Sequence, residues 1–249
     1  MVEADALFTR PKLNLDIDSA RNLIDAPGKL GNVAGKDVLC LACGGGQQSA
    51  AFALLGANVT VFDLSEEQLE RDKEAAKHYD VEIKTIQGDM RNLSTFEKAS
   101  FDIVYHAYSL NFVPDAAEVF QQAAKVLRKG GLYFFNCANP FVMGMRQDDW
   151  NGNGYILKKP YLSKVEIIYD DQDWVYNRDK HAPVQNPIEY RHTLSELING
   201  IINSGFIILH VSDNSDMYPD VDAKPSSWEH FVAFAPPWLS FLASYRPDI

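Results

Sequence analysis

Basic charge is scarce in this sequence: 23 lysines and arginines stand against 34 aspartates and glutamates, for a formal net charge of -11. Such a surface repels a phosphate backbone, so a nucleic-acid partner is not expected. Cysteine is scarcer still, with three in 249 residues, and Cys40, Cys43 and Cys137 are too few and too apolar in their surroundings for a disulfide framework. Cys40 and Cys43 have C-x-x-C spacing, but no second Cys or His pair stands near to complete a tetrahedral zinc site, and no metal is expected. No apolar run approaches the about 20 residues of a membrane span, and Met1 to Leu15 lacks the pattern of a signal or transit peptide. Internal repeats and low-complexity segments are absent too. The expectation is a cytoplasmic protein without a membrane partner.

The apolar content, 46% of residues, is enough for one large core. From Asp37 onward, strand-length apolar runs alternate with segments of helical period, the pattern of βαβ units and a parallel sheet covered on both faces. Asp37–Leu41 reads as the first strand, followed by a helix from about Gln47 with Gly56 at its C-terminal end. Asn58–Asp63 is the second strand, Ser65 and Gln68 form a capping box for the next helix, and Glu82–Gln87 and Phe101–His106 are strands three and four. Ala116 to Leu127 has helical spacing, stopped by Lys129, Gly130 and Gly131 before a fifth strand at Leu132–Asn136. Periodicity then lapses over residues 141–192, read as an insertion or lid containing Trp150, Tyr155, Tyr161, Tyr169, Trp174 and Tyr176, with a β-prone run at Val165–Tyr169. Thr193 and Glu196 make a second capping box, and Phe206–Val211 and His230–Ala235 read as the last two strands, the final one antiparallel.

The fold class is therefore α/β, a doubly wound, mostly parallel seven-stranded sheet with helices on both faces. One domain is expected: an N-terminal helical cap over residues 1–34, a ligand-binding half over 35–140, the insertion, and C-terminal strands over 193–249.

Chemistry concentrates in Val38 to Ser49, where a buried strand runs into a glycine-rich turn and then a helix. Gly44, Gly45 and Gly46 let the backbone approach a ligand at the carboxyl end of the sheet. Asp63, closing the second strand, is placed to accept the hydroxyl hydrogens of a ribose. At this point two cofactors fit, because Gly44, Gly46 and Ser49 also approximate the G-x-G-x-x-G of a nicotinamide dinucleotide site.

Gly88-Asp89-Met90 follows strand three, His106-Ala107-Tyr108-Ser109-Leu110-Asn111 strand four, and Pro114-Asp115 and Leu127-Arg128-Lys129-Gly130-Gly131 come after. With these segments the sequence resembles the class I S-adenosylmethionine-dependent methyltransferases from about Gly35 to Asn139, in order and spacing. The resemblance implies a Rossmann-like methyltransferase fold and transfer of a methyl group from S-adenosyl-L-methionine to a small-molecule acceptor, with S-adenosyl-L-homocysteine as product. It implies that Ala42, Cys43, Gly44 and Gly46 cradle the methionine part with Gln48 beside them, that Asp63 holds the ribose, that Leu64 and Gln68 lie by the adenine, that Asp89 accepts from the adenine amino group with Met90 along the ring, and that His106 sits near the sulfonium. Cys40 and Ala42 depart from the family pattern, replacing an acidic residue of the first strand and the first glycine of the turn. Alternatives are a non-catalytic cofactor-binding module and an NAD-dependent oxidoreductase. If the acceptor must lose a proton, His106, Tyr108, His192 and Tyr190 are the candidates, because each can face the mouth of the sheet. Nitrogen, oxygen and carbon all remain open as the methylated atom.

Overall fold

The computed structural model describes residues 10–169, 186–213 and 218–248. A helix, α1 (Ile17–Asp25), precedes the alternation β1 (Asp37–Leu41), α2 (Gln48–Leu54), β2 (Asn58–Asp63), α3 (Glu66–Tyr79), β3 (Ile83–Gln87), β4 (Phe101–His106), α4 (Ala116–Val126) and β5 (Leu127–Ala138). After the insertion, which contributes β6 (Glu166–Ile168) and β7 (Ile188–Tyr190), come α5 (Leu194–Asn203), β8 (Phe206–Ser212), α6 (Trp228–Phe234) and β9 (Trp238–Tyr245). Seven strands form one sheet in the order β3-β2-β1-β4-β5-β9-β8; β6 and β7 form a second, antiparallel pair. The first five strands run parallel, and β9 is antiparallel to both β5 and β8.

Alternation along the inner strands divides the core. In β1, Leu39 and Leu41 point into one apolar layer and Val38 and Cys40 into the other, and all four are fully buried. The first layer joins Phe120 of α4 and Leu197 and Ile201 of α5 to Tyr133, Phe135 and Phe241 of the sheet. The second sets Ala20 and Ile24 of α1 and Phe52 of α2 against Val61, Ile103 and Tyr105. Each such aliphatic or aromatic side chain contributes about 1.5–3 kcal/mol by leaving water, which is why both faces of the sheet are covered.

Local signals set the helix ends. Thr193 accepts from the Glu196 amide while the Glu196 carboxylate accepts from the Thr193 amide, so this capping box is complete. At Ser65 only half forms: its hydroxyl accepts from the Gln68 amide at 3.3 Å, but the Gln68 side chain does not reach back.

Two expectations are corrected. His230–Ala235 is not a strand: Ser227 caps a helix there, and His230, Phe231 and Phe234 pack at helical spacing on Trp150 and Tyr155. The strand lies beyond Pro236 and Pro237, at Trp238–Tyr245, inserted between β5 and β8. Nor do Lys129, Gly130 and Gly131 stop α4, which has already ended at Val126; they lie inside β5, where a Cβ on Gly131 would meet the Arg128 and Asp102 carbonyl oxygens at 2.9 and 3.0 Å.

The run at Val165–Tyr169 does supply a strand. Ile167 of β6 is fully buried against Ala138 and Met143, with Tyr108 and Tyr169 alongside. Trp174 and Tyr176 lie outside the described residues.

Candidate active site

The strand order reverses between β1 and β4, and the carboxyl ends of β1 to β4 open there into a cavity of about 1590 Å³. Ala42, immediately after β1, has φ of 47°, the left-handed conformation a glycine would take without strain. The substitution therefore preserves the turn. The Asp63 carboxylate ties that turn to the next one, accepting the Gly44 amide and the Ser65 amide at 2.9 Å each. Gly44 has no room for a side chain: a Cβ would stand 2.9 Å from the Gln68 Cβ and 3.2 Å from the Asp63 carboxyl carbon.

Asp72 of α3 was not singled out in the sequence, yet it organises the rest of the turn. Its carboxylate accepts the Gly45 and Gly46 amides at 3.0 and 2.9 Å and the Ser49 hydroxyl, and it is fully buried. Burial raises its carboxyl to about 6, against the lowering effect of those three donors. Two of the amides expected to face a ligand thus face Asp72 instead. A helical Asp among charged neighbours gives no signal of this in the sequence.

Ala42, Cys43, Gly44, Gln48, Asp63, Leu64, Gln68, Asp89 and Met90 all line the cavity; Gly46 does not. Gln68 Oε1 and Ser109 Oγ, also in the lining residues, are buried with no hydrogen-bond partner among the described residues. Asp89 accepts from Arg91 Nε at 3.0 Å on both oxygens, and the Arg91 hydrogen bonds hold its carboxyl below the ordinary value.

At the other end of the cavity the expected bases separate. His106 does not line it. Its ring is wholly enclosed, with Nδ1 3.0 Å from the Tyr133 hydroxyl and Nε2 without a partner among the described residues, and burial pushes its pKa down to about 3. An imidazole so held stays neutral and out of reach of an acceptor. His192 is also enclosed, its Nε2 3.2 Å from the Leu110 carbonyl oxygen, and burial lowers its pKa. Tyr108 and Tyr190 do line the cavity.

The Tyr108 hydroxyl donates to the Glu189 carboxylate, at 3.2 and 3.4 Å to its two oxygens. Glu189, in the middle of β7, was not anticipated. It is 7% exposed and lines the cavity, and burial lifts its carboxyl to about 7. The alternation Ile188-Glu189-Tyr190 within a short β-prone run was the signal that could have found it. Of the insertion's aromatics among the described residues, Tyr169 lines the cavity, while Trp150 and Tyr155 pack on α6 and Tyr161 stacks on Phe141. No group of three or more His, Cys, Asp or Glu among the described residues is arranged to hold a metal ion.

A crevice at the sheet's switch point, with a glycine turn on one side and an acidic strand end on the other, defines an α/β enzyme that takes a nucleoside cofactor. Comparison with known proteins specifies which. The model of a methyltransferase domain matches residues 39–135. An uncharacterised methyltransferase of Bacillus subtilis, YbaJ, is 34% identical over 180 residues, 71% of this chain and 68% of that protein. A ubiquinone biosynthesis O-methyltransferase of Shewanella pealeana is 34% identical over 184 residues, 69% of this chain and 78% of that one. Among solved structures, an S-adenosylmethionine-dependent methyltransferase of Mesorhizobium loti superposes with a TM-score of 0.69 at 25% identity, covering 92% of this chain and all of that one. The chain belongs to the class I S-adenosylmethionine-dependent methyltransferases, and its cofactor is S-adenosylmethionine.

The residues present suit that cofactor. The cradle at Gly44 excludes a side chain, and Gln68 Oε1 and Ser109 Oγ are buried polar atoms without partners among the described residues.

Proposed function

We propose that this enzyme methylates a small molecule that enters between the strand ends and β7, in the same cavity as the cofactor. The observation that carries the reading is continuity: Gly44, Asp63 and Gln68 at one end and Tyr108, Glu189 and Tyr190 at the other line a single space of about 1590 Å³. That volume exceeds the about 300–1,000 Å³ of an ordinary ligand pocket and suits two occupants.

The sulfonium of the cofactor supplies an activated methyl group, so the protein has mainly to align the acceptor behind it. In this reading the Ala42–Gly44 backbone, with Gln48 beside it, holds the methionine part and Asp63 the ribose hydroxyls. Leu64, Gln68 and Met90 border the adenine. Asp89 was expected to accept from the adenine amino group; Arg91 already occupies both its oxygens, so that contact requires Arg91 to turn aside. Tyr108 and Glu189 replace the two histidines as the groups able to touch the acceptor. We place the enzyme in the cytoplasm, a reading supported by three free, buried thiols.

Thermal unfolding with S-adenosylmethionine, S-adenosylhomocysteine, NAD and no ligand tests the cofactor half. At 100 times its Kd a ligand specific for the folded state stabilises by about 2.7 kcal/mol, so the melting temperature is expected to rise with the first two alone. A rise with NAD instead overturns the reading.

A further inference from the structure

A carboxylate at the acceptor end of this cavity has no counter-ion among the described residues. Glu189 is buried on β7 with Ile167 opposite it in the register, and its one hydrogen-bond partner among the described residues is the Tyr108 hydroxyl. Arg191, two residues on, is turned elsewhere: its guanidinium donates to the Lys159, Pro160 and Met143 carbonyl oxygens. An ionised carboxylate in such a place is costly until a cation reaches it.

Among the charged residues of the lining, carboxylates outnumber cations, with His210 as a further titratable group. Asp25, Asp63, Glu67, Asp89 and Asp213 join Glu189, against Lys29 and Arg91, and Arg91 is paired with Asp89. An anionic acceptor would meet repulsion here. A neutral phenol would leave Glu189 without a counter-charge. Tyr108, Tyr169, Tyr190 and Trp238 line the cavity too, offering ring faces of the kind that attract ammonium groups.

Resting on the reading that cofactor and acceptor share this cavity, we propose that the acceptor is an amine, received by Glu189 as an ammonium ion and deprotonated by it. The N–H bond breaks, its proton passes to a Glu189 carboxylate oxygen, and the electron pair stays on nitrogen. That lone pair then forms the N–C bond to the methyl carbon of S-adenosylmethionine as the C–S bond breaks with its pair remaining on sulfur. The methylated ammonium and S-adenosylhomocysteine leave, and Glu189 returns its proton to water. Burial, which lifts the Glu189 carboxyl to about 7, makes it a better proton acceptor than an exposed glutamate. Tyr108 is a positioning residue for Glu189, fixing the carboxylate by its hydroxyl.

The test uses the full chain saturated with S-adenosylhomocysteine and compares benzylamine, benzyl alcohol and benzoate by calorimetric titration. Wild type is expected to prefer benzylamine over the alcohol by about 10-fold or more, the scale of one hydrogen bond to a charged group, and to reject benzoate. E189Q is expected to lose that preference while its affinity for S-adenosylhomocysteine is unchanged. E189D, which keeps the charge but shortens its reach, should retain part of the preference, and it serves if E189Q does not fold. Equal binding of benzylamine and benzyl alcohol in wild type, or an amine preference that survives in E189Q, overturns the proposal. So does labelled methyl appearing on phenols and not on amines across a mixed panel. Failure of S-adenosylhomocysteine itself to bind would instead strike at the shared-cavity reading.

Discussion

Two residues at the ends of strands, Ala42 after β1 and Gly88 after β3, show which backbone paths survive a change of side chain and which do not. Ala42 holds φ of 47° where a left-handed residue without Cβ would be relaxed, at an expense of about 1 kcal/mol. A42G is therefore expected to raise stability by about 0.5 kcal/mol in a urea titration, because relief of strain exceeds, but only in part, the added freedom of the unfolded glycine. Gly88 is the opposite case. A Cβ there would stand 2.1 Å from the Phe62 ring, so G88A should destabilise by more than about 2 kcal/mol and weaken cofactor binding by shifting its neighbour Asp89. For Asp63, alanine removes an acceptor of charge-assisted bonds worth about 1.5–3 kcal/mol, and S-adenosylmethionine affinity should fall about 10-fold or more. An unchanged affinity in folded D63A would remove Asp63 from the cofactor site.

At the scale of elements, the sequence was most legible where burial on both faces left an unbroken apolar strand. The bounds read for β1, β2 and β4 match the structure, since Asp37, Asn58 and Phe101 follow turn residues and Leu41, Asp63 and His106 precede them. It was least legible near the C-terminal end of the sheet. His230 to Ala235 is β-prone in composition, and only the Ser227 cap and the facing Trp150 and Tyr155 decide for helix. The cofactor half of the site was readable because its residues sit in consecutive βα turns. The acceptor half was not, because Glu189 and Tyr108 are 81 residues apart and meet only through the folding of the insertion onto β4 and β5. The capping box of α5 gives a check on local reading: T193A leaves the Glu196 amide without its acceptor and should cost about 1 kcal/mol.

The molecule as a whole titrates through buried groups whose effects oppose one another. Asp72 and Glu189 have carboxyls raised by burial, so the stability they allow is fully present below their unfolded values near 4 and is lost as pH rises through about 6 and about 7. His106, pushed down to about 3 by burial, works the other way: its contribution is full above 6.5 and is lost as pH falls toward 3. Between pH 4 and 7 the two carboxyls outweigh the imidazole, so the combined contribution of these three groups should fall by roughly 3 kcal/mol. E189Q separates the terms. It is expected to match wild type at pH 4 and to become more stable by about 3 kcal/mol above pH 7, measured by denaturant titration across that range. A difference that does not grow with pH would mean that Glu189 is not desolvated in solution.

The placement of β9 also bears on how the protein comes into being. It lies between β5 and β8 yet follows both in the chain. As the polypeptide leaves the ribosome, residues 127–138 emerge with one edge unpaired and residues 206–212 with neither edge paired, until β9 (Trp238–Tyr245) has been made. The nascent chain therefore carries these unpaired strand margins until β9 is made, and the strand that joins β5 to β8 is the last of the seven to enter the sheet.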